Sequence, residues 1–161
     1  MRSADRAVRL YRQVGDKHGE VDAQLVAVRA QFAIIESRGG RNGWSLAAYK
    51  AAEHLVVAAQ EHRRHDKVCI GDTRLLLARM LFEMGSLKRA EVEVKAAARA
   101  FRSCQDLRRR AEALLLWSEV NLGREHLQEA RVEAGRAAEL FDQLADGGGA
   151  ARVLSLHDRI S

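Results

Sequence analysis

The sequence predicts an all-α fold, an α-solenoid of about eight helices stacked as antiparallel hairpins, and three observations support it. The 161 residues contain no proline and only 5% aromatic residues, and an Ala-, Leu-, Arg- and Glu-rich composition is typical of a nearly all-helical chain. The stretch LKRAEVEVKAAARAF, residues 87–101, is echoed 40 residues later by LQEARVEAGRAAELF, residues 127–141. Asp66, Asp106 and Asp146 follow the same spacing, and such a fixed period indicates stacked structural repeats.

Apolar periodicity and turn residues define the predicted helices. The three periodic aspartates each precede a helical pattern, where a carboxylate accepts hydrogen bonds from the first turn and suits the helix dipole. The join AVRLYRQVGD repeats this arrangement near the start of the chain, with Asp16 as its acidic residue. Gly39, Gly40, Gly85 and Gly123 are expected to close helices in the left-handed conformation. The predicted helices span 3–15, 19–38, 44–63, 67–84, 87–103, 107–123, 126–144 and 148–159.

The repeat divides a single predicted domain, residues 1–161, into units. The spacing from Asp16 to Asp66 is 50 residues, and the glycine-rich stretch SRGGRNGW accounts for the extra length. The chain begins with the second helix of a hairpin and ends with the first helix of another, which we interpret as a segment of a longer array or as a capping terminal helix. The units are a half repeat at 1–16, 17–65 with an insertion at 37–44, 66–105, 106–145, and a terminal helix at 146–161.

One helical face of the repeated stretch carries apolar residues at i, i+3, i+7, i+10 and i+14. Its alanines allow a neighbouring helix to approach closely, while its leucine and its phenylalanine fill the two ends. The face is therefore predicted to form the interface of a helix hairpin. Its members are Leu87, Ala90, Val94, Ala97 and Phe101.

Two consecutive units resemble the tetratricopeptide repeat, whose pattern has a bulky and a small residue in the first helix, then glycine, leucine or an aromatic residue, and alanine. The longer period here, compared with the usual period of about 34 residues, is similar to the variant of kinesin light chains and of large bacterial regulators. Asn121 and Glu125 depart from the pattern, which has a large residue and the turn glycine there, and the inter-repeat proline is missing. The matching residues are Leu77, Ala78, Leu81, Gly85, Leu87, Ala90, Val94 and Ala97 in one unit, and Trp117, Ser118, Leu127, Ala130, Ala134 and Ala137 in the next.

The resemblance implies a right-handed superhelix in which the first helix of each hairpin lines a concave face. It also implies a non-catalytic interaction module or scaffold that holds a peptide, a helix or a partner domain, as in the arrays of large regulatory proteins. The inward-facing positions of the first helices are then the predicted partner-binding residues. They are Asp22, Leu25, Arg29, Phe32, Asp72, Leu75, Arg79, Phe82, Glu112, Leu115, Glu119 and Leu122.

Arg29 and Arg79 flank an apolar strip on this predicted face, which favours a peptide that carries acidic and apolar groups. The family's clamp of lysine and asparagine, which holds the terminal carboxylate of a peptide, is missing from the matching positions, so chaperone tails are not expected as ligands. The alternative is that the apolar members of the strip pack between helices. These members are Phe32, Leu75, Phe82 and Leu115.

The charge balance leaves other kinds of partner open. A formal net charge of +5 and a pI near 9.7 permit nucleic-acid binding by a basic helical repeat, and the terminal helices permit a homo-oligomer. The arginines at 108–110 lie at a predicted helix N-terminus, where cations are unfavourable for the dipole, and this cost suggests an acidic partner. Arg41, Asn42 and Trp44 form another candidate contact, although we favour Trp44 as a packed residue at the start of its helix.

No catalytic, metal or cofactor site is expected. His62, His65, Asp66 and Cys69 are close in sequence, but a helix break at Asp66 disrupts a shared ligand geometry and no second cluster completes a zinc site. The GGRNG loop lacks the lysine and hydroxyl residue of a phosphate-binding loop, and no serine or cysteine has a convincing base partner. Cys69 and Cys104 do not make a disulfide framework, and the sequence has neither an apolar run of about 18 residues nor a signal-peptide start. A reduced, cytoplasmic setting is therefore predicted.

Overall fold

A computed structural model describes residues 2–37 and 46–160, and within these ranges the chain is helical without a strand. The predicted all-α class is confirmed, and each described helix end lies within two residues of its prediction. Gly39, Gly40, Arg41, Asn42 and Trp44, with most of the predicted insertion, lie outside the described residues. The helices are α1 (Arg2–Val14), α2 (Lys17–Ser37), α3 (Leu46–His62), α4 (Lys67–Glu83), α5 (Leu87–Ser103), α6 (Leu107–Gly123), α7 (Leu127–Gln143) and α8 (Gly147–Ile160).

Consecutive helices pack against each other along the whole series, as the solenoid prediction requires. In addition, the backbone of α4 approaches those of both α2 and α6, and the backbone of α6 approaches that of α8. Among the described residues the backbones of α1, α3, α5 and α7 remain farther apart, and α3 and α5 meet through the side-chain pair of Glu53 and Arg89. Alternate helices approach more closely on the inside of a curve than on its outside. The stack therefore curves toward α2, α4, α6 and α8, which we call the inner layer, and α1, α3, α5 and α7 form the outer layer.

Each inner helix begins at an aspartate that caps its first turn, as predicted. The Oδ1 atoms of Asp66, Asp106 and Asp146 accept main-chain N–H bonds at 2.9, 3.0 and 3.0 Å, and Asp16 does the same at 3.0 Å. The hydrogen bond from the Gly149 amide, reinforced by an arginine, holds the pKa of Asp146 below its ordinary value. The 40-residue spacing of Asp66, Asp106 and Asp146 is therefore the spacing between the starts of α4, α6 and α8.

The turns between helices correct one prediction. Gly85 has the expected left-handed conformation, with a φ of 74°, but Gly123 is the last residue of α6 and the left-handed residue of that turn is Glu125, with a φ of 64°. In these turns the residue with the left-handed conformation directly precedes the N-cap residue of the next helix. Its position is therefore set by the N-cap residue and does not depend on where a glycine occurs. Gln105 and Ala145 occupy the same position in their own turns.

The apolar face of the repeated stretch forms the hairpin interface, as predicted. In α5 its alanines, Val94 and Phe101 are fully buried. The ring of Phe101 occupies the space beside Gly71 in α4, and the ring of Phe141 in α7 occupies the space beside Gly149 in α8. A Cβ atom at either glycine would overlap the ring, so these glycines allow the close approach of neighbouring helices.

Not every residue retained between the two stretches serves packing. Val92 and Val132 recur at the same offset but are 62% and 50% exposed on the outer layer. Leu87 is half-buried against Gly123, whereas its counterpart Leu127 is exposed. The repetition therefore preserves some surface positions together with the core.

Candidate functional site

The inward positions of the inner layer form two depressions along α4 and α6, which together we call the inner groove. The first has a volume of about 270 Å3 and the second a volume of about 560 Å3. The first is lined by Arg29, Phe32, Asp72, Leu75, Leu76, Arg79 and Glu112. The second is lined by Phe82, Glu83, Met84, Gly85, Leu87, Glu119, Leu122, Gly123 and Arg159.

Nine of the predicted partner-binding residues line the inner groove, and three do not. Leu25 and Leu115 are buried in the core, so for Leu115 the alternative of packing between helices describes what the structure shows. Asp22 lies apart from both depressions and accepts a hydrogen bond of 3.1 Å from Arg63. Phe32 reaches the first depression although it is also buried.

The charges of the first depression hold inner helices together. Asp72 of α4 is buried, and its carboxylate forms an ion pair with Arg29 of α2 at 2.9 Å and accepts a hydrogen bond from Arg109 of α6 at 3.0 Å. Glu112 of α6 pairs with Arg152 of α8. A buried carboxylate needs donors to offset its desolvation, so the pair with Arg29 stabilises the packing of α2 on α4. A partner could bind Arg29 only by disrupting that pair.

The charged groups in and beside the second depression do not form ion pairs of this kind. Across the described residues, neither Arg79 nor Arg159 has an acidic group within ion-pair distance, and Glu119 has no hydrogen-bond donor. Burial raises the pKa of Glu119, the positive charges of Arg79 and Arg159 oppose that rise, and the carboxylate of Glu83 adds to it. Arg159 in this depression and Arg79 in the adjoining one are therefore available to a ligand, with the carboxyl groups of Glu83 and Glu119 beside them.

Apolar side chains accompany these charges. Phe82, Leu122 and Leu87 are half-buried and line the second depression, and Leu75 continues the apolar surface into the first. The surface is flanked by Arg79 on one side and by Arg159 at the end of α8. It combines an apolar floor with positive groups at its rim.

The arginine run at the start of α6 has an internal explanation. Arg109 donates to Asp106 at 2.7 Å as well as to Asp72, and Arg108 donates to Asp146 at 2.6 Å. These carboxylates offset the unfavourable position of the cations near the positive end of the helix dipole. An acidic partner is therefore not needed to account for Arg108 and Arg109.

The residues considered as metal ligands have other roles. Asp66 caps α4 and pairs with Arg63 at 3.1 Å, and Cys69 is buried, which raises the pKa of its thiol. Within residues 2–37 and 46–160, no three His, Cys, Asp or Glu side chains converge as a metal site would require. No helix of the described chain has the length and apolar character needed to cross a membrane.

Sequence reasoning missed a second recess, which lies on the outer layer between α5 and α7. It includes Trp117, which the repeat pattern had treated only as a bulky packing residue. The signal for it is a difference between units: Arg74 in α4 is replaced 40 residues later by Leu114 in α6. The glutamate that Arg74 binds in its own unit therefore loses that partner in the next unit.

No protein-family model matches this chain, and a search of the curated proteins found no relative. Its similarity to the tetratricopeptide repeat therefore remains an interpretation of the residues and of their spacing.

Proposed function

We propose that the chain is a non-catalytic interaction module of the tetratricopeptide type, which holds a peptide or helix of a protein partner in the inner groove. The observation that carries the proposal is the second depression, about 560 Å3 in volume, where Arg159 lies beside an apolar floor and Arg79 lines the adjoining first depression. Neither arginine has a carboxylate within ion-pair distance among the described residues. Uncommitted cations beside apolar surface suit a segment that carries both a carboxylate and an apolar side chain.

The chemistry of the groove suggests how such a segment would bind. An apolar side chain would cover Phe82 and Leu122, while a neighbouring carboxylate would pair with Arg79 or Arg159. Glu119 lies between these groups, and its raised pKa favours the uncharged form. Protonation of Glu119 removes one of the two carboxylate charges that line the depression beside Arg159, so the affinity for an acidic segment rises as the pH falls.

The biological setting follows from the resemblance alone. Arrays of this kind in large bacterial regulators sense a partner or restrain an effector domain, and we propose a regulatory role of that kind in the cytoplasm.

The test compares two arginines that the sequence treated as equivalent. The immobilised full chain is used to capture proteins from its native host, the bound protein is identified, and its affinity for purified variants is measured by calorimetry. Arg79→Glu is expected to abolish capture with unchanged helicity. Arg29→Glu is expected to lower the thermal midpoint, because it breaks the pair with Asp72, and to retain capture well below that midpoint.

Two outcomes would overturn the proposal. If Arg79→Glu and Arg159→Glu both retain capture, the inner groove is not the binding site. If the chain instead binds single-stranded RNA or duplex DNA at about 50 mM salt, and added salt weakens that binding steeply, then the basic surface binds nucleic acid. Light scattering across a concentration series tests the remaining alternative, a homo-oligomer formed through α1 and α8.

A further inference from the structure

The recess on the outer layer, which we call the outer cleft, has a volume of about 610 Å3. It exists because α5 and α7 diverge on the outside of the curved stack, which leaves the outward face of α6 as its floor. Its charged and aromatic lining includes Glu91, Lys95, Trp117, Arg124, Glu133 and Arg136.

Two polar atoms in the outer cleft are buried and have no hydrogen-bond partner within the described part of the chain. One is Nε1 of Trp117, a donor, and the other is Oε2 of Glu133, an acceptor. Glu133 is only 5% exposed, and its other oxygen accepts from Arg136 at 2.9 Å. Native proteins pair almost all such groups, because an unmade hydrogen bond in a desolvated place is costly.

Glu91, Lys95 and Arg124, which also line the cleft, are already paired. Glu91 accepts from Lys95 at 2.6 Å and also from Arg124. The ammonium group of Lys95 lies 5.1 Å from the ring centroid of Trp117, within the range of a cation–π contact. Lys95 therefore lies over the ring, and its long side chain can move aside by rotation about its own bonds.

We propose that the outer cleft binds an amide group of a peptide. The amide carbonyl accepts the hydrogen bond of Trp117 Nε1, and the amide N–H donates to Glu133 Oε2. The primary amide of glutamine or asparagine presents a C=O and an N–H on one edge, and in an extended main chain the N–H and C=O of one residue point to the same side. Either source therefore complements one free donor and one free acceptor. A carboxylate has only acceptors and an ammonium group has only donors, so neither satisfies both atoms.

The amide comes from the main chain of an extended segment or from a glutamine or asparagine side chain. Val132 lies at the edge of the cleft and is half exposed, so it gives either source an apolar contact beside the polar pair. This site is on the opposite layer from the inner groove and does not depend on the function proposed for that groove.

The test records the indole N–H signal of Trp117 in the 15N-labelled full chain, with Trp44→Phe introduced so that only one indole signal remains. The probes are three capped tripeptides, N-acetyl-Gly-Ala-Gly-amide, its Gly-Gln-Gly analogue and its Gly-Glu-Gly analogue. A saturable downfield shift of the indole proton is expected. Each probe is also prepared with a C-terminal methylamide, so that no primary amide remains outside the glutamine side chain. Equal shifts with all three methylamide probes assign the site to the main chain, whereas a shift with the glutamine probe alone assigns it to the side chain.

Variants separate this role from packing. Glu133→Leu removes the acceptor and is expected to weaken probe binding about tenfold or more. Trp117→Phe keeps an aromatic ring but removes the donor, and it is expected to weaken probe binding by the same factor. Because this variant has no indole signal, its probe binding is measured from the main-chain amide shifts of α5 and α7. The matched control is Glu93→Leu at the equivalent position of the preceding unit, which should leave probe binding unchanged.

Three results would overturn the proposal: no probe produces a saturable shift, Glu133→Leu binds as tightly as the parent, or Glu93→Leu weakens binding to the same degree. Circular dichroism and a cooperative thermal transition establish that each variant is folded. Because the two cleft variants alter different helices, a folding failure in one leaves the other to decide the result.

Discussion

The units 66–105 and 106–145 share their helix starts and their buried hairpin contacts, but they differ on the outward side of their first helix. Both begin at a capping aspartate, and both bury alanines and a phenylalanine at the same offsets. They differ on the outward face of their first helix, where Leu77 is followed by Trp117 and Leu81 by Asn121. Repetition thus constrains the surfaces that stack and leaves the outward face of that helix free to change.

Glu93 and Glu133 occupy the same position of the two units, but their hydrogen bonds and ion pairs differ. Glu93 accepts from Arg74 at 2.7 Å, and both side chains keep some contact with solvent. The later unit has Leu114 at the repeat position of that arginine, and Glu133 is more deeply buried and keeps one oxygen without a donor. The same residue at the same repeat position therefore pairs with the neighbouring helix in one unit, whereas in the next it pairs within its own helix, with Arg136, and keeps one oxygen without a donor.

The largest expected effect tests the frame that the two units share. Phe101→Ala and Phe141→Ala should each lower the free energy of unfolding by about 3–5 kcal/mol, because each removes a fully buried ring and leaves a cavity. Urea denaturation followed by circular dichroism at 222 nm measures both values. A loss below about 1 kcal/mol for one variant alone, well under the range for such a change, would show that the units are not equivalent in packing.

A smaller effect sharpens the contrast between the two glutamates. Arg74→Leu reproduces the later unit in the earlier one, leaves Glu93 without its donor, and should cost about 1–3 kcal/mol of unfolding free energy. Glu133→Leu should be neutral or stabilising, because it replaces a poorly paired buried carboxylate by an apolar group.

The same urea measurement checks this pair of variants, and a double variant of Arg74 and Glu93 isolates their coupling. The contrast fails if Glu133→Leu costs as much as Arg74→Leu.

The smallest effect compares inner with outer helices. Asp106 caps α6, whereas Ser86, the residue before α5, makes no side-chain capping bond. Asp106→Ala should lower the free energy of unfolding by about 1 kcal/mol, and Ser86→Ala should change it by less than the error of a thermal melt. Equal losses would mean that the aspartate period has no special role in helix starts.

The pH dependence of the Asp106 effect has a definite sign. Burial raises the pKa of Asp106, but the hydrogen bonds from the Arg109 amide and guanidinium outweigh burial and hold the pKa below its ordinary value of 3.8. The folded state therefore favours the carboxylate, and its contribution is complete above that ordinary value. The difference between the parent and Asp106→Ala should disappear as the pH falls through the folded pKa.

Local physics made much of the fold predictable. The spacing of apolar residues gave the helices, and the aspartates marked their starts, because both signals act within a few residues of the chain. Gly123 was misassigned because a left-handed turn position belongs to the N-cap that follows it, and Glu125 adopts the conformation without glycine. The candidate groove was located in outline, since inward positions follow from helix periodicity once the stacking is assumed.

The sequence by itself determined which faces are apolar, where helices begin, and that the units stack. Only the tertiary structure decided which charged side chains form ion pairs between the stacked helices. Arg29 and Arg79 are indistinguishable along the chain, yet Arg29 meets Asp72 on the next inner helix and Arg79 meets no carboxylate within ion-pair distance among the described residues. Pairing across helices depends on separations of a few ångströms between residues about 40 positions apart in the repeat, and periodicity within one helix carries no information about them.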